Sequence, residues 1–402
     1  MSGTVVNVAS TAVRGDSGGR KAWPEEYGLA LSGGGIRATL FHLGALWRIN
    51  ELGRLRDIDC ISGVSGGSIA AGLLAKAWRE FEWDSQGRAT NFETRYASLV
   101  YRLAGQRLDV PIVALGLLPF VSPARLLARV LDRRFFHGMT LQDLPAPGNG
   151  PEFIFNATDL TTGTDFQFSR QQLHCYRLGD VPNPDLKVAV AVAASAAFPP
   201  IVSPLELHLD PDRFKPGQHS DLFHRKDLLR RVALVDGGAY DNLGLEPITH
   251  SCHTYLVSDA GGNLGVQPPG WRWWLWSLQI KRVLDIAVAQ ARGLRRRALF
   301  ADTDAHPCAL WRTRTEPAVL AERVPLTFTV HDGWPEYLAA IPTRLWPLPV
   351  ADRQRLVNWG YLTCDLALRA FVWKQDAPAR TLPFSDAGFE AAPPQTPDLA
   401  GA

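Results

Sequence analysis

The chain has 402 residues, 46% of them hydrophobic and 20% charged, with a formal net charge of +2. This describes one large or two modest globular domains and excludes a collagen-like, coiled-coil or largely disordered chain. Near-neutral charge speaks against a nucleic-acid-binding protein, which needs a basic excess to displace counterions from phosphates.

The first 26 residues carry Arg14, Asp16, Arg20 and Lys21 but no apolar run, so no secretory signal is expected and the segment reads as a disordered tail. Tyr27 to Leu31 reads as a short buried strand, followed by Ser32-Gly33-Gly34-Gly35. A helix comes next, with an apolar stripe at Leu40, Leu43, Leu46, Trp47 and Ile49, stopping at Gly53. Ile58 to Ile61 is a second strand, Ser62 to Gly67 a tight turn, and Ile69 to Trp78 a second helix. This βαβα order predicts an α/β fold with a parallel-rich central sheet flanked by helices.

Residues 81–150 form a helical insertion with Phe81, Trp83, Leu117, Leu118 and Phe120 among its bulky residues. Its uncharged stretch Val110 to Ala124 is broken by Pro111, Gly116, Pro119 and Pro123, too short to cross about 30 Å of hydrocarbon. It is a candidate lid or acyl channel, or equally the core of a helical cap. Further strands are expected at Phe153 to Ala157, Phe166 to Phe168, Val232 to Val235 and Thr254 to Val257. A helix-rich C-terminal extension follows Gly262 to about residue 390, and residues 391–402 read as a second tail. With no spanning segment, a cytoplasmic chain is expected. Cys60, Cys175, Cys252, Cys308 and Cys364 are scattered without a C-x-x-C pair, so neither a disulfide framework nor a zinc site is predicted.

The strongest chemical signal is Gly63-Val64-Ser65-Gly66-Gly67, a G-x-S-x-G string between a strand and a helix. Such an elbow thrusts a serine out at the carboxyl end of a sheet, and its glycines permit close approach of backbone and substrate. A glycine-rich turn with no chemistry reads the same way locally. Upstream, Gly33, Gly34 and Gly35 open the first helix, where free N–H groups can stabilise an oxyanion. The parallel crossover places both turns at one sheet edge. A dinucleotide-binding loop also fits the glycines, but it needs an acidic residue at the end of the second strand, where Ile61-Ser62-Gly63 stands.

A serine nucleophile needs a base. A Ser-His-Asp arrangement would draw on His250 or His253, yet both precede the strand beginning at Thr254 and fall at its amino end. The apolar run Val232 to Val235 instead delivers Asp236-Gly237-Gly238 to a turn at the carboxyl end, where burial would raise an aspartate toward a useful pKa. An Asx turn capped by glycine is the alternative there.

With these residues in view, the chain resembles the patatin-like phospholipases, lipid acyl hydrolases that use a Ser–Asp dyad. The match runs through Gly33 to Arg37, the Ser65 elbow, Asn156 to Gly163, Ala194 to Pro199 and Asp236-Gly237-Gly238, covering about residues 27 to 262. The resemblance implies Ser65 as nucleophile, Asp236 as base, and Gly33, Gly34, Gly35 and Arg37 as the oxyanion hole. Gly63, Gly67, Gly237 and Gly238 would be the elbow and turn glycines, with no metal and no cofactor. Ala38 departs from the family, which has glycine there. Two other readings stay open: a noncatalytic lipid- or partner-binding protein on the same fold, and a Ser-His-Asp esterase.

One more segment stands out. Trp271, Trp273, Trp274 and Trp276 run into a helix, and residues 271–297 carry seven basic side chains and one acidic. Tryptophans beside a basic amphipathic helix suit peripheral contact with an anionic membrane; a helix packed on the core with solvated arginines is the other reading.

Overall fold

Alternation along the first strand sets the layering. In β1 (Tyr27–Leu31), Leu29 and Leu31 enter one buried cluster and Ala30 the other, so both faces of the sheet are covered. The computed structural model describes residues 26–107, 122–199, 202–262, 264–268, 270, 274–301, 303, 305–343 and 347–394. The Val110 to Ala124 stretch therefore lies almost wholly outside the described residues, as do Trp271, Trp273, residues 1–25 and residues 395–402.

The described strands form one sheet. β1 lies between β2 (Ile58–Val64) and β9 (Thr254–Asp259), with β3 (Glu152–Asp159) beyond β2 and β10 (Cys308–Arg312) beyond β9, all parallel. Beyond β3 the sheet turns antiparallel through β4 (Thr164–Phe168), β5 (Gln172–Cys175) and β6 (Gly179–Pro182). Two more strands, β7 (Leu205–His208) and β8 (Arg231–Asp236), pair antiparallel, and β8 also pairs antiparallel with β3. The short strands β5, β6, β7 and β10 were not anticipated: they are four or five residues long and carry little apolar alternation.

Helix α1 (Gly35–Glu51) and helix α2 (Gly66–Trp78) cover the larger face, where burying each Leu or Ile contributes about 1.5–3 kcal/mol. Against α1 packs the long C-terminal helix Val350–Phe371, and the two backbones nearly touch. A Cβ on Gly44 would stand 1.8 Å from the Val357 carbonyl, and one on Gly360 would stand 1.9 Å from that of Phe41. Arg48 of α1 pairs with Asp365 of that helix at 2.8 Å, and Asp365 also holds Arg369. The chain beyond Gly262 is thus built into both the sheet, through β10, and the larger helical face. On the smaller face, Leu245 and Ile248 of a short helix and Leu299 of the Trp276–Ala301 helix cover Ala30, Cys60 and Val257.

Candidate active site

Two strands running in opposite directions meet head-on along β3. Val64, the last residue of β2, pairs with Asn156, and Asp236, the last of β8, pairs with the adjacent Ala157. The sequence predicted that the Val232 to Val235 strand would bring Asp236 to the edge where Ser65 stands. It does so by an antiparallel approach rather than as another parallel strand, because β3 is longer than β2 and leaves its last residues open for pairing.

Ser65 follows β2 in a strained conformation, φ 52° and ψ −115°, a region few non-glycine residues occupy. The turn is tighter than predicted: β2 runs to Val64 and α2 begins at Gly66. Helix α2 can start there only without side chains. A Cβ on Gly67 would lie 2.0 Å from the Leu31 carbonyl, and one on Gly63 2.9 Å from the Ser68 backbone. The Ser65 N–H donates to Ser195 Oγ at 2.9 Å.

Asp236 is 5% exposed, and its carboxylate accepts from the Gly238 N–H at 2.8 Å with the Ser65 hydroxyl beside it. Burial pushes its pKa up to about 6, and the neighbouring Ser65 hydroxyl and the Gly238 N–H hold it from rising further. Its own amide donates to the Ala197 carbonyl at 2.9 Å, and its carbonyl accepts from Thr158 Oγ1 at 3.0 Å. Gly237 passes so close to β3 that a Cβ there would meet the Asn156 carbonyl at 2.3 Å.

The glycine loop borders the same corner, since a Cβ on Gly33 would lie 3.4 Å from that of Ser65. The expected oxyanion set changes in two places. The Gly33 N–H is engaged, donating to the Asn242 carbonyl at 3.0 Å. The Arg37 guanidinium turns away, donating to the carbonyls of Ala260 and Ile341 and to Thr343 Oγ1. It is a buried tie to the C-terminal region, and desolvation lowers its pKa to about 10. Gly34 and Gly35, at φ 149° and 61°, remain, and their N–H groups meet no acceptor among the described residues. Ala38 fits where the family has glycine: its methyl fills the space over Gly34 and is fully buried. Behind the loop, His42 Nε2 donates to the Ser32 carbonyl at 2.9 Å and its Nδ1 accepts from Ser258 Oγ at 2.8 Å. Burial pushes its pKa down to about 4, so it is neutral scaffold.

The family model for patatin-like phospholipase matches residues 29–248. The chain belongs to that family. No curated protein sequence matches it. In structure it is similar to human GIVD cytosolic phospholipase A2 in complex with methyl gamma-linolenyl fluorophosphonate and terbium chloride. That likeness has 15% identity and a TM-score of 0.46, and covers 85% of this chain and 57% of that one. It is also similar to VipD from Legionella pneumophila, at 16% identity and a TM-score of 0.39, covering 87% and 68%. The chain thus spans little more than half the length of the human protein it matches.

In this patatin-like site the candidate histidines stand elsewhere. His253 is next to Thr254, which pairs with Tyr27 at the start of β1, the end of the sheet opposite Ser65. His250 is exposed and bonded to its own helix at the Glu246 carbonyl. No cluster of three His, Cys, Asp or Glu side chains able to hold a metal occurs among the described residues. Asn156 and Ser195 lie in the family-like strings of the sequence but were given no role there, and Asn242 was not singled out; they hold the strand carrying Ser65, the Ser65 amide and the Gly33 amide.

The basic segment also differs from expectation. In the Trp276–Ala301 helix, Arg296 pairs with Asp259 at 3.2 Å, Arg295 with Glu246 at 3.1 Å, and Arg292 donates to the Gly262 carbonyl. These arginines anchor the helix beside the site. Much of what faces outward, in this helix and just before it, is apolar: Trp274 is 89% exposed, Trp276 72%, Ile280 59% and Val283 60%, beside exposed Lys281 and Arg297.

Proposed function

We propose that this protein is a serine acyl hydrolase that cleaves acyl esters of lipids, phospholipids or lysophospholipids, with Ser65 as nucleophile and Asp236 as general base. The observation that carries this reading is the buried Asp236 carboxylate brought beside the Ser65 elbow by pairing to adjacent residues of β3, with burial raising its pKa to about 6. It is mostly ionised at neutral pH yet basic enough to take a proton in the transition state. As Ser65 Oγ bonds to the ester carbonyl carbon, its proton passes to Asp236. The oxyanion is held by the Gly34 and Gly35 N–H groups at the positive end of α1. Collapse breaks the acyl C–O bond, and Asp236 returns the proton to the departing alkoxide. Water then attacks the acyl-enzyme, gives its proton to Asp236, and releases the fatty acid as Ser65 is reprotonated. A carboxylate base suits esters better than amides, whose leaving groups demand stronger acid assistance.

The substrate enters from a lipid surface, and the outward apolar half of the Trp276–Ala301 helix is the element suited to meet it, in a chain where no described helix is long and apolar enough to cross a membrane. The deciding experiment pairs labelling by a fluorophosphonate probe with hydrolysis of a panel of phospholipids, lysophospholipids and short esters. Ser65→Ala should abolish both, and Asp236→Asn should lower hydrolysis by about 100-fold or more, the usual contribution of a general base. The double variant should be no worse than Ser65→Ala, because the pair acts as a unit. Labelling and hydrolysis that persist in Ser65→Ala would sink the proposal; no hydrolysis of any ester by the wild type would favour a noncatalytic lipid binder.

A further inference from the structure

We infer that Ser195 is the positioning residue of the nucleophile: its hydroxyl holds the Ser65 amide in the conformation that aims the Ser65 hydroxyl at Asp236. Ser195 ends the helix Val188–Ser195, is fully buried, and lies 130 residues from Ser65 in sequence. The hydrogen-bonding capacity of its hydroxyl is filled. The Asn156 carbonyl can only accept, so Ser195 Oγ donates to it at 2.6 Å. The two lone pairs then receive the Ser65 N–H at 2.9 Å and the Ser68 hydroxyl at 2.8 Å.

The same short stretch grips the other half of the pair. The Ser195 carbonyl accepts from the Gly237 N–H at 3.3 Å, and the Ala197 carbonyl accepts from the Asp236 N–H at 2.9 Å. One helix end therefore registers the nucleophile against its base. The bond to Ser65 matters most, because a non-glycine residue at φ 52° stays there only if its surroundings hold it. It also commits the Ser65 N–H, so that amide is no oxyanion donor.

The inference rests on the Ser–Asp reading above. Asp236 is shifted by burial, by Ser65 and by Gly238, with no contribution from a charged side chain. The nearest acid on the following turn, Asp241, is occupied by the Leu243 and Leu245 N–H groups and by Arg295. A change in the acid limb of the rate profile therefore reports the approach of the Ser65 hydroxyl to Asp236. Loss of that approach moves the limb to higher pH, because the Ser65 hydroxyl lowers the Asp236 pKa.

The test uses the full chain, a soluble aryl ester, and rates per folded molecule. Ser195→Ala should lower kcat about 100-fold with KM unchanged, the usual consequence of a misplaced catalytic group, and shift the acid limb upward. Ser68→Ala, which removes a hydrogen bond from the same hydroxyl without touching the Ser65 amide, should keep the wild-type rate and limb. Ser195→Thr, which retains a hydroxyl, should recover both. If Ser195→Ala does not fold, Ser195→Cys replaces it, with the same loss and shift expected from its weakly bonding thiol. Wild-type kcat in Ser195→Ala, or equal losses in Ser195→Ala and Ser68→Ala with an unmoved limb, overturns the inference. Ser65→Ala is measured alongside: if it remains active, the nucleophile reading itself fails, whereas an inactive Ser65→Ala with a fast Ser195→Ala removes only Ser195.

Discussion

Two buried carboxyls carry pKa values above the ordinary range, Asp236 at about 6 and Asp165 at about 7, and in both burial is the main cause. Asp165 has one oxygen without a partner, and nearby Asp241 and Glu246 raise it further. A carboxyl whose pKa rises on folding binds its proton more tightly in the native state. Its stability contribution is present below pH about 4 and is lost as pH climbs toward 7. Asp165→Asn should therefore leave stability unchanged near pH 4 and raise it at pH 8 by on the order of 2 kcal/mol, seen as a higher melting temperature in calorimetry at pH 8 only. For the rate, kcat/KM should fall as pH drops through about 6, following Asp236, with no second limb from His42, which stays neutral down to about 4. Ser65 and Asp236 were legible as strings beside apolar strands. Ser195 and Asn242 were not, since each matters through one contact with a residue far away in sequence, and no local pattern marks such a contact. Gly33 shows the same limit: its place in the loop was readable, but the carbonyl that engages its amide was not.

Among the elements, the Trp276–Ala301 helix separates composition from geometry. The tryptophans and arginines were plain in the sequence, yet their facing was not. At about 100° per residue Arg292, Arg295, Arg296 and Leu299 share one face, while Trp276, Ile280, Val283 and Leu294 share the opposite one. Only the partners Asp259 and Glu246, on other elements, decide which face turns inward. Vesicle binding should thus depend on apolar area rather than charge. Ile280→Glu with Val283→Glu should weaken sedimentation with lipid vesicles by on the order of 10-fold or more, losing roughly 2–4 kcal/mol of apolar transfer. Added salt should change binding little, and hydrolysis of a soluble ester should be untouched. Arg295→Glu with Arg296→Glu should instead lower the melting temperature and soluble-ester activity together, because it sets like charges against Glu246 and Asp259 beside the site. Helix α2 makes a sharper demand. Gly67→Ala would drive a methyl into the Leu31 carbonyl, and overpacking of this kind costs roughly 1–3 kcal/mol, visible as a lower melting temperature with loss of activity.

At the scale of the whole molecule, the parallel α/β class could be read from the first eighty residues, where strand and helix patterns alternate cleanly. Strand direction beyond β3 could not, because short strands carry no mark of parallel or antiparallel pairing, and β10 pairs with a strand 49 residues earlier in the chain. Nor was the C-terminal helix readable as part of the core, though Gly44 and Gly360 are the residues that let it approach α1. A chain ending at residue 262 should therefore fail to give a cooperative melting transition, since it strips α1 of its cover and leaves Arg48 without Asp365.

The head-on junction of β2 and β8 has a mechanical side. Val64, the residue before Ser65, and Asp236 are fastened to neighbouring residues of a single strand, so the separation of the pair is set across one peptide unit of β3 rather than across a cleft between moving bodies. Hydrogen exchange should show it: amides of residues 155–158 ought to stay protected at every stage of lipid binding, while those of the Trp276–Ala301 helix change.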